Sequence, residues 1–239
     1  MDGESGTVFI VDDAAEVRRS LSRLLAAAGY RVQAFESAES FLQGHDAELP
    51  GCLLLDVRMP GLSGPDLQHA LASRGLTRPI VFLTGNGDIE TSVRAMKEGA
   101  VDFLTKPVDD VPLFAAVENA LRRDAEQRLK RSIRRTIQQR LENLTPRERQ
   151  VLVQVIRGRL NKQIAAELGT GEKTIKVHRA RVMSKMRVRS VAELVQLCAQ
   201  VGVSIEPTPG CRTASIDWKQ ADTPSLEAAR KGDACLCPG

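Results

Sequence analysis

The chain has 239 residues, of which 42% are hydrophobic and 27% charged. That is a length for one large domain or two ordinary ones, with the composition of a soluble globular protein. No stretch approaches the roughly 18 unbroken apolar residues of a membrane span, and the opening MDGESGTVFIVDD turns from acidic to a short apolar run, unlike a signal peptide. Five scattered cysteines (Cys52, Cys198, Cys211, Cys235, Cys237) are too sparse for a disulfide framework and, with three histidines, argue against a zinc site. A reducing cytoplasm is the expected location.

The net charge of +4 is unevenly spread. Residues 1–124 carry 12 Lys/Arg against 19 Asp/Glu, a net of −7, whereas residues 125–205 carry 18 against 6, a net of +12. An acidic front half and a basic second half predict two domains with different partners, the basic one suited to nucleic acid.

The front half alternates strand and helix. Thr7–Val11 is a β-branched run of the kind buried on both faces of a parallel sheet. Val17, Leu21, Leu24, Leu25 and Ala28 then recur at helical spacing, with Gly29 as a stop. Further strands are predicted at Tyr30–Phe35, Cys52–Leu55, Ile80–Leu83 and Asp102–Thr105, and helices at Ser37–Gln43, Gly64–Arg74, Ile89–Glu98 and from Asp109 onward. Five strands alternating with five helices imply a doubly wound, five-stranded parallel sheet, flavodoxin-like in class. The last helix has no obvious stop: Leu113, Val117 and Leu121 should pack on the sheet, and the Arg- and Gln-rich stretch Arg122–Arg140 reads as a solvated helical linker.

Thr145-Pro146-Arg147-Glu148 is a sharp helix start, with an N-cap threonine, proline at the first helical position and a glutamate three residues after the cap. Four helices are predicted from there, at Pro146–Ile156, Asn161–Leu168, Glu172–Met186 and Val191–Val201. The tail from Glu206, with prolines and no apolar period, reads as disordered.

Functional groups of an open parallel sheet gather at the carboxyl ends of its strands. Those ends carry Asp12 and Asp13 after the first strand, Asp56 after the third, Thr84 at the fourth and Lys106 after the fifth. Aspartates there could simply cap helices. Three converging carboxylates instead call for a divalent cation, and an oxygen-ligand site with an open side suits Mg²⁺. An aspartate can also attack phosphorus to give an acyl phosphate. In that scheme Asp56 is the nucleophile, Asp12 and Asp13 hold the metal, Lys106 neutralises phosphoryl charge and Thr84 donates a hydrogen bond.

The segments VDD, LLLDVRMPGLSG, FLTG and FLTKP, in order over about residues 7–122, resemble a bacterial response-regulator receiver domain. The resemblance implies Asp56 as phosphoacceptor and Asp12, Asp13 and Asp56 as Mg²⁺ ligands together with the backbone carbonyl of Arg58. It implies Thr84 and Lys106 as switch residues, Phe103 as the aromatic that moves with Thr84, and a cis Lys106–Pro107 bond.

Asn161–Met186 reads as helix, glycine-containing turn, helix, the arrangement that sets a second helix in the major groove. Wound at 100° per residue, Glu172–Met186 puts Ile175, Val182 and Met186 on an apolar side, with His178 and Arg179 at its margins. Lys173, Lys176, Val177, Ala180 and Ser184 fall on the open side, and Arg181 at its border is placed to reach phosphate. An ordinary solvated basic face is the alternative for this helix taken alone. LTPRERQVL, NKQIAAELG and KTIKVHRARVMSKM resemble the four-helix domain of the LuxR, NarL and FixJ regulators, and the order of domains resembles the FixJ subgroup. Thr174 is a further candidate DNA contact, and the resemblance implies Lys176, Val177 and Ala180 as the main base-reading positions.

The domains expected are therefore a receiver at 5–122, a helical linker at 123–142, a helix-turn-helix domain at 143–203 and a disordered tail at 204–239. The function expected is a phosphorylation-switched transcription factor, not an enzyme. A histidine kinase would supply the phosphoryl group, and a homodimer would bind promoter DNA and meet RNA polymerase. The alternatives are a constitutive DNA binder with an inactive receiver and an aspartyl phosphotransferase or phosphatase.

Overall fold

A computed structural model describes residues 6–85 and 96–202. The chain divides into two compact units, at residues 1–130 and 131–239.

The first unit holds strands β1 (Thr7–Val11), β2 (Arg31–Phe35), β3 (Gly51–Asp56), β4 (Ile80–Thr84) and β5 (Asp102–Thr105). Its helices are α1 (Ala15–Ala27), α2 (Ala38–Gly44) and α3 (Gly64–Ser73), and α4 (Asp110–Glu142) starts in this unit and ends in the second. All neighbouring strands pair in parallel, in the order β2-β1-β3-β4-β5. The helix expected at Ile89–Glu98 lies outside the described residues except for its last turn, where Met96 and Lys97 are helical.

Alternation along each strand divides the core into two layers. Phe9, Val11, Leu53, Leu55 and Phe82 pack with Phe41 of α2 and Leu67 and Leu71 of α3. Val8, Ile10, Leu54, Val81 and Leu83 face the other way, onto Leu21 and Leu25 of α1 and Leu113 and Val117 of α4. β1, β3 and β4 are buried on both faces, which explains their unbroken apolar runs, whereas the edge strands β2 and β5 are partly exposed. Gly51 opens β3 because the chains meet there: a Cβ at this position would lie 2.0 Å from the carbonyl oxygen of Thr7.

The stretch expected to be a solvated linker is helical and mostly exposed, with a few side chains anchored at its ends. Asp124 is buried and its carboxylate accepts hydrogen bonds from the Gly51 amide and from Arg128 Nε, both at 2.8 Å. Arg128 also donates to the carbonyls of Glu48 and Leu49. Farther along α4, Ile137 and Leu141 are buried in the core of the second unit. Composition does not announce these anchors, because Asp124 and Arg128 satisfy backbone groups of the β3 entry loop, work that apolar periodicity does not register.

The second unit continues with α5 (Pro146–Ile156), α6 (Asn161–Glu167), α7 (Glu172–Met186) and α8 (Val191–Gln200). Val151, Leu152, Ile164, Ile175, Val182, Met186 and Leu194 form its core. The capping box at Thr145 is made as expected, with Thr145 Oγ accepting from the Glu148 amide and Glu148 Oε2 from the Thr145 amide. The same carboxylate oxygen accepts from Lys185 Nζ at 2.7 Å, which braces the start of α5 against the last turn of α7.

That brace yields a pH-dependent stability. Burial alone pushes the Glu148 carboxyl up, but the hydrogen bonds from Lys185 and Thr145 outweigh it and hold the group below the usual carboxylate range. A depressed folded value means stability that is present above the unfolded carboxylate range and lost as pH falls through the folded one. Glu148→Gln is expected to lower the second unit's stability at pH 7 by about 1–2 kcal/mol. In calorimetric unfolding, the gap between wild type and variant should close on acidification; a gap that stays constant would show that the charge plays no part.

Candidate functional site

The strand order changes direction between β1 and β3, the two strands whose carboxyl ends carry Asp12 and Asp56. The loops that leave a doubly wound sheet at such a point run to opposite faces and open a crevice. One oxygen from each of Asp12, Asp13 and Asp56 lies within 4.8 Å of the others, the one such cluster among the described residues. Asp12 and Asp56 are buried and Asp13 is exposed, so the group opens to solvent on one side. Gly64 lets α3 approach this edge: a Cβ there would lie 2.3 Å from the Asp56 carbonyl oxygen.

Lys106 Nζ donates to Asp12 Oδ2 at 2.5 Å and to Asp56 Oδ1 at 2.9 Å. The second oxygen of Asp12 accepts from the Ala14 amide at 2.9 Å. Asp56 Oδ2 accepts no hydrogen bond from the described residues, which leaves this oxygen available. Burial raises the Asp56 carboxyl above its ordinary value; Lys106 partly offsets this, and repulsion from Asp12 and Asp13 adds to it. Burial alone would lower the Lys106 ammonium, but its bonds to the two aspartates raise it, so it stays charged at neutral pH.

Thr84 ends β4 and is buried, and its carbonyl accepts from the Lys106 amide at 2.6 Å. Phe103 is half-buried on β5, its ring centre 6.1 Å from that of Phe82. Arg58 lies exposed in the loop after β3, and the Lys106–Pro107 bond is cis. The five residues read from strand ends therefore share one sheet edge. Sequence reading missed Arg18 of α1, whose Nη1 donates to the carbonyl oxygens of Asp12 and Asp13. An arginine in a polar helix turn carries no signal of such a contact.

Three hard oxygen donors with one open side fit Mg²⁺. The described thiols do not compete as ligands or nucleophiles, since burial pushes Cys52 up to about 12 and Cys198 up to about 11.

In the second unit, Ile175, Val182 and Met186 of α7 are buried, while Lys173, Thr174, Lys176, Val177, Ala180, Arg181 and Ser184 are all exposed. Two arginines fix the helix-turn-helix: Arg179 Nη1 donates to Asn161 Oδ1 at 3.1 Å, joining α7 to α6, and Arg147 Nη2 donates to the Leu168 carbonyl at 2.6 Å, holding the turn onto α5. His178 and Arg179 are half-buried, as their marginal positions predict. The result is a basic helix with one face locked in a core and the other open along its whole length.

A doubly wound sheet with an acidic cluster and a lysine at its switch point, followed by a helix-turn-helix, defines a receiver-type phosphoacceptor joined to a DNA-binding module. A family model for the response regulator receiver domain matches residues 8–118, and one for bacterial regulatory proteins of the luxR family matches residues 142–198. Nodulation protein W of Bradyrhizobium diazoefficiens is 46% identical over 201 residues, covering 84% of this chain and 88% of that protein. The transcriptional regulatory protein FixJ of Azorhizobium caulinodans is 44% identical over 204 residues, covering 84% and 95%. A solved structure of the response regulator StyR superposes with a TM-score of 0.73 at 49% identity, covering 81% of this chain and 98% of that one. The chain belongs to the two-component response regulators that carry a receiver domain and a LuxR-type DNA-binding domain. Members of this family are transcriptional regulators, switched in general by phosphorylation, and their receivers bind Mg²⁺ at an acidic pocket. Among the described residues, no helix is long and apolar enough to cross a membrane.

Proposed function

We propose that Asp56 is the phosphoacceptor and that its modification controls promoter binding through the exposed face of α7. The observation that carries this reading is the contact set of Asp56: Oδ1 is held by Lys106 while Oδ2 is left to attack. The attack forms an O–P bond as the P–N bond of a kinase phosphohistidine breaks, and the released imidazole nitrogen takes up a proton. Mg²⁺, when bound, would supply positive charge to the transferring phosphoryl oxygens, and Asp12, Asp13, Asp56 and the Arg58 carbonyl would hold it. Lys106 keeps its ammonium at the phosphoryl oxygens, and Thr84 donates its hydroxyl to one of them. Phe103 follows Thr84 inward, a local change of packing that biases a two-state element.

Lys173, Lys176 and Arg181 would meet phosphates and base edges, with Thr174, Val177, Ala180 and Ser184 lying close against the groove. The reading places the protein in the cytoplasm, as a homodimer when phosphorylated, on two half-sites about one helical turn apart and in contact with RNA polymerase. The test is anisotropy binding to DNA selected from a random duplex pool, before and after treatment with Mg²⁺ and acetyl phosphate. Tighter binding after treatment is expected; affinity indifferent to the donor would support a constitutive DNA binder instead.

A further inference from the structure

Asp12 and Asp13 are held very differently. Asp12 is fixed by its Oδ1 bond from the Ala14 amide, its Oδ2 bond from Lys106, and its own amide donating to the Phe35 carbonyl of β2 at 3.3 Å. The exposed Asp13 carboxylate accepts no hydrogen bond from the described residues, so the backbone sets the direction in which its Cα–Cβ bond leaves the chain. Besides the Ala14 amide, which belongs to the plane after Asp13, that backbone is held by Arg18: its Nη1 donates to the Asp12 carbonyl at 2.7 Å and to the Asp13 carbonyl at 2.9 Å. These carbonyls belong to the two rigid peptide planes on either side of the Asp13 Cα. A single nitrogen bonded to both planes restrains φ and ψ of Asp13 together. Arg18 is itself anchored in the first turn of α1, where its amide donates to the Ala14 carbonyl at 3.1 Å.

We propose that Arg18 is a positioning residue for the cation site, keeping the Asp13 carboxylate turned toward Asp12 and Asp56. This rests on reading the acidic cluster as the Mg²⁺ site. The proposal has a sign that separates it from plain electrostatics. A guanidinium beside a cation site repels the cation, so if Arg18 acted through charge alone its removal would tighten Mg²⁺ binding. If it acts by positioning, its removal weakens binding despite the loss of repulsion.

The test uses the full chain as wild type, Arg18→Met, Arg18→Lys and Asp13→Asn, with Mg²⁺ affinity from titration calorimetry without any phosphodonor and melting temperature in EDTA. Arg18→Met should raise the Mg²⁺ dissociation constant about tenfold, the lower end of what loss of a ligand-holding group costs. Arg18→Lys, whose ammonium can donate to both carbonyls, should recover most of that loss. Phosphoryl uptake from acetyl phosphate by Arg18→Met should need more Mg²⁺ for half-saturation yet reach the wild-type rate at saturation, a split that general loosening of the fold would not produce. If Arg18→Met is unfolded in EDTA, Arg18→Gln replaces it in the same comparison. Unchanged or tighter Mg²⁺ binding in the folded variant overturns the positioning role while leaving the cation site standing. A wild type that binds Mg²⁺ no better than Asp13→Asn overturns the cation-site reading and the inference with it.

Discussion

Asp56→Asn should gain no mass on incubation with Mg²⁺ and acetyl phosphate, whereas the wild-type chain should gain one phosphoryl group. The amide keeps the size of the side chain and a carbonyl oxygen for Lys106 but has no anionic oxygen to attack phosphorus. The variant should also melt higher. Burial and the neighbouring aspartates raise the Asp56 carboxyl in the folded chain. A group raised in this way binds more protons folded than unfolded, so its contribution to stability falls as pH rises from the ordinary carboxylate range through the folded value. At neutral pH in EDTA the wild type bears this penalty and Asp56→Asn does not. Each kcal/mol relieved should raise the receiver's melting temperature by about 4 °C. Below the carboxylate range the two chains should melt together. A phosphoryl group on the Asn variant would move the acceptor elsewhere, and a lower melting point at neutral pH would mean that the ionised Asp56–Lys106 pair stabilises the edge more than repulsion destabilises it.

Val177→Glu should abolish specific DNA binding while leaving the fold intact. Val177 is a large apolar side chain on the open face of α7, 48% exposed, so the core loses little when it changes, and glutamate is a better helix former than valine. On DNA the new carboxylate would sit among base edges and phosphates, desolvated and repelled. Specific affinity should fall at least about 100-fold, equivalent to roughly 3 kcal/mol, with an unchanged melting temperature. Lys176→Ala, in contrast, should weaken binding to all sequences and reduce the salt dependence by about one counterion. An unaltered dissociation constant for Val177→Glu would move the DNA interface off this helix.

The two variants probe the two sites at which sequence reading was most direct. Asp12, Asp56, Thr84 and Lys106 were legible because a parallel sheet puts every strand's carboxyl end on one edge, so the residue after each apolar run is a candidate whatever the rest of the chain does. The faces of α7 were legible because helical winding separates Ile175, Val182 and Met186 from Lys173, Lys176 and Val177 with no knowledge of what covers either side. Thr145 and Glu148 were legible as a cap because both partners lie within one turn.

The sequence alone thus determined what depends on local geometry: the alternating elements, the acidic edge, the helix-turn-helix and its open basic face. Tertiary structure decided where the long charged side chains end. Lys106 spans Asp12 and Asp56, Lys185 reaches back 37 residues to Glu148, Arg128 grips a loop some 80 residues earlier, and Arg18 closes on two backbone carbonyls. Such side chains have several rotatable bonds and many acceptors within reach, and their partners are fixed only when packing brings distant backbone and carboxylate groups together and burial makes leaving them unpaired costly.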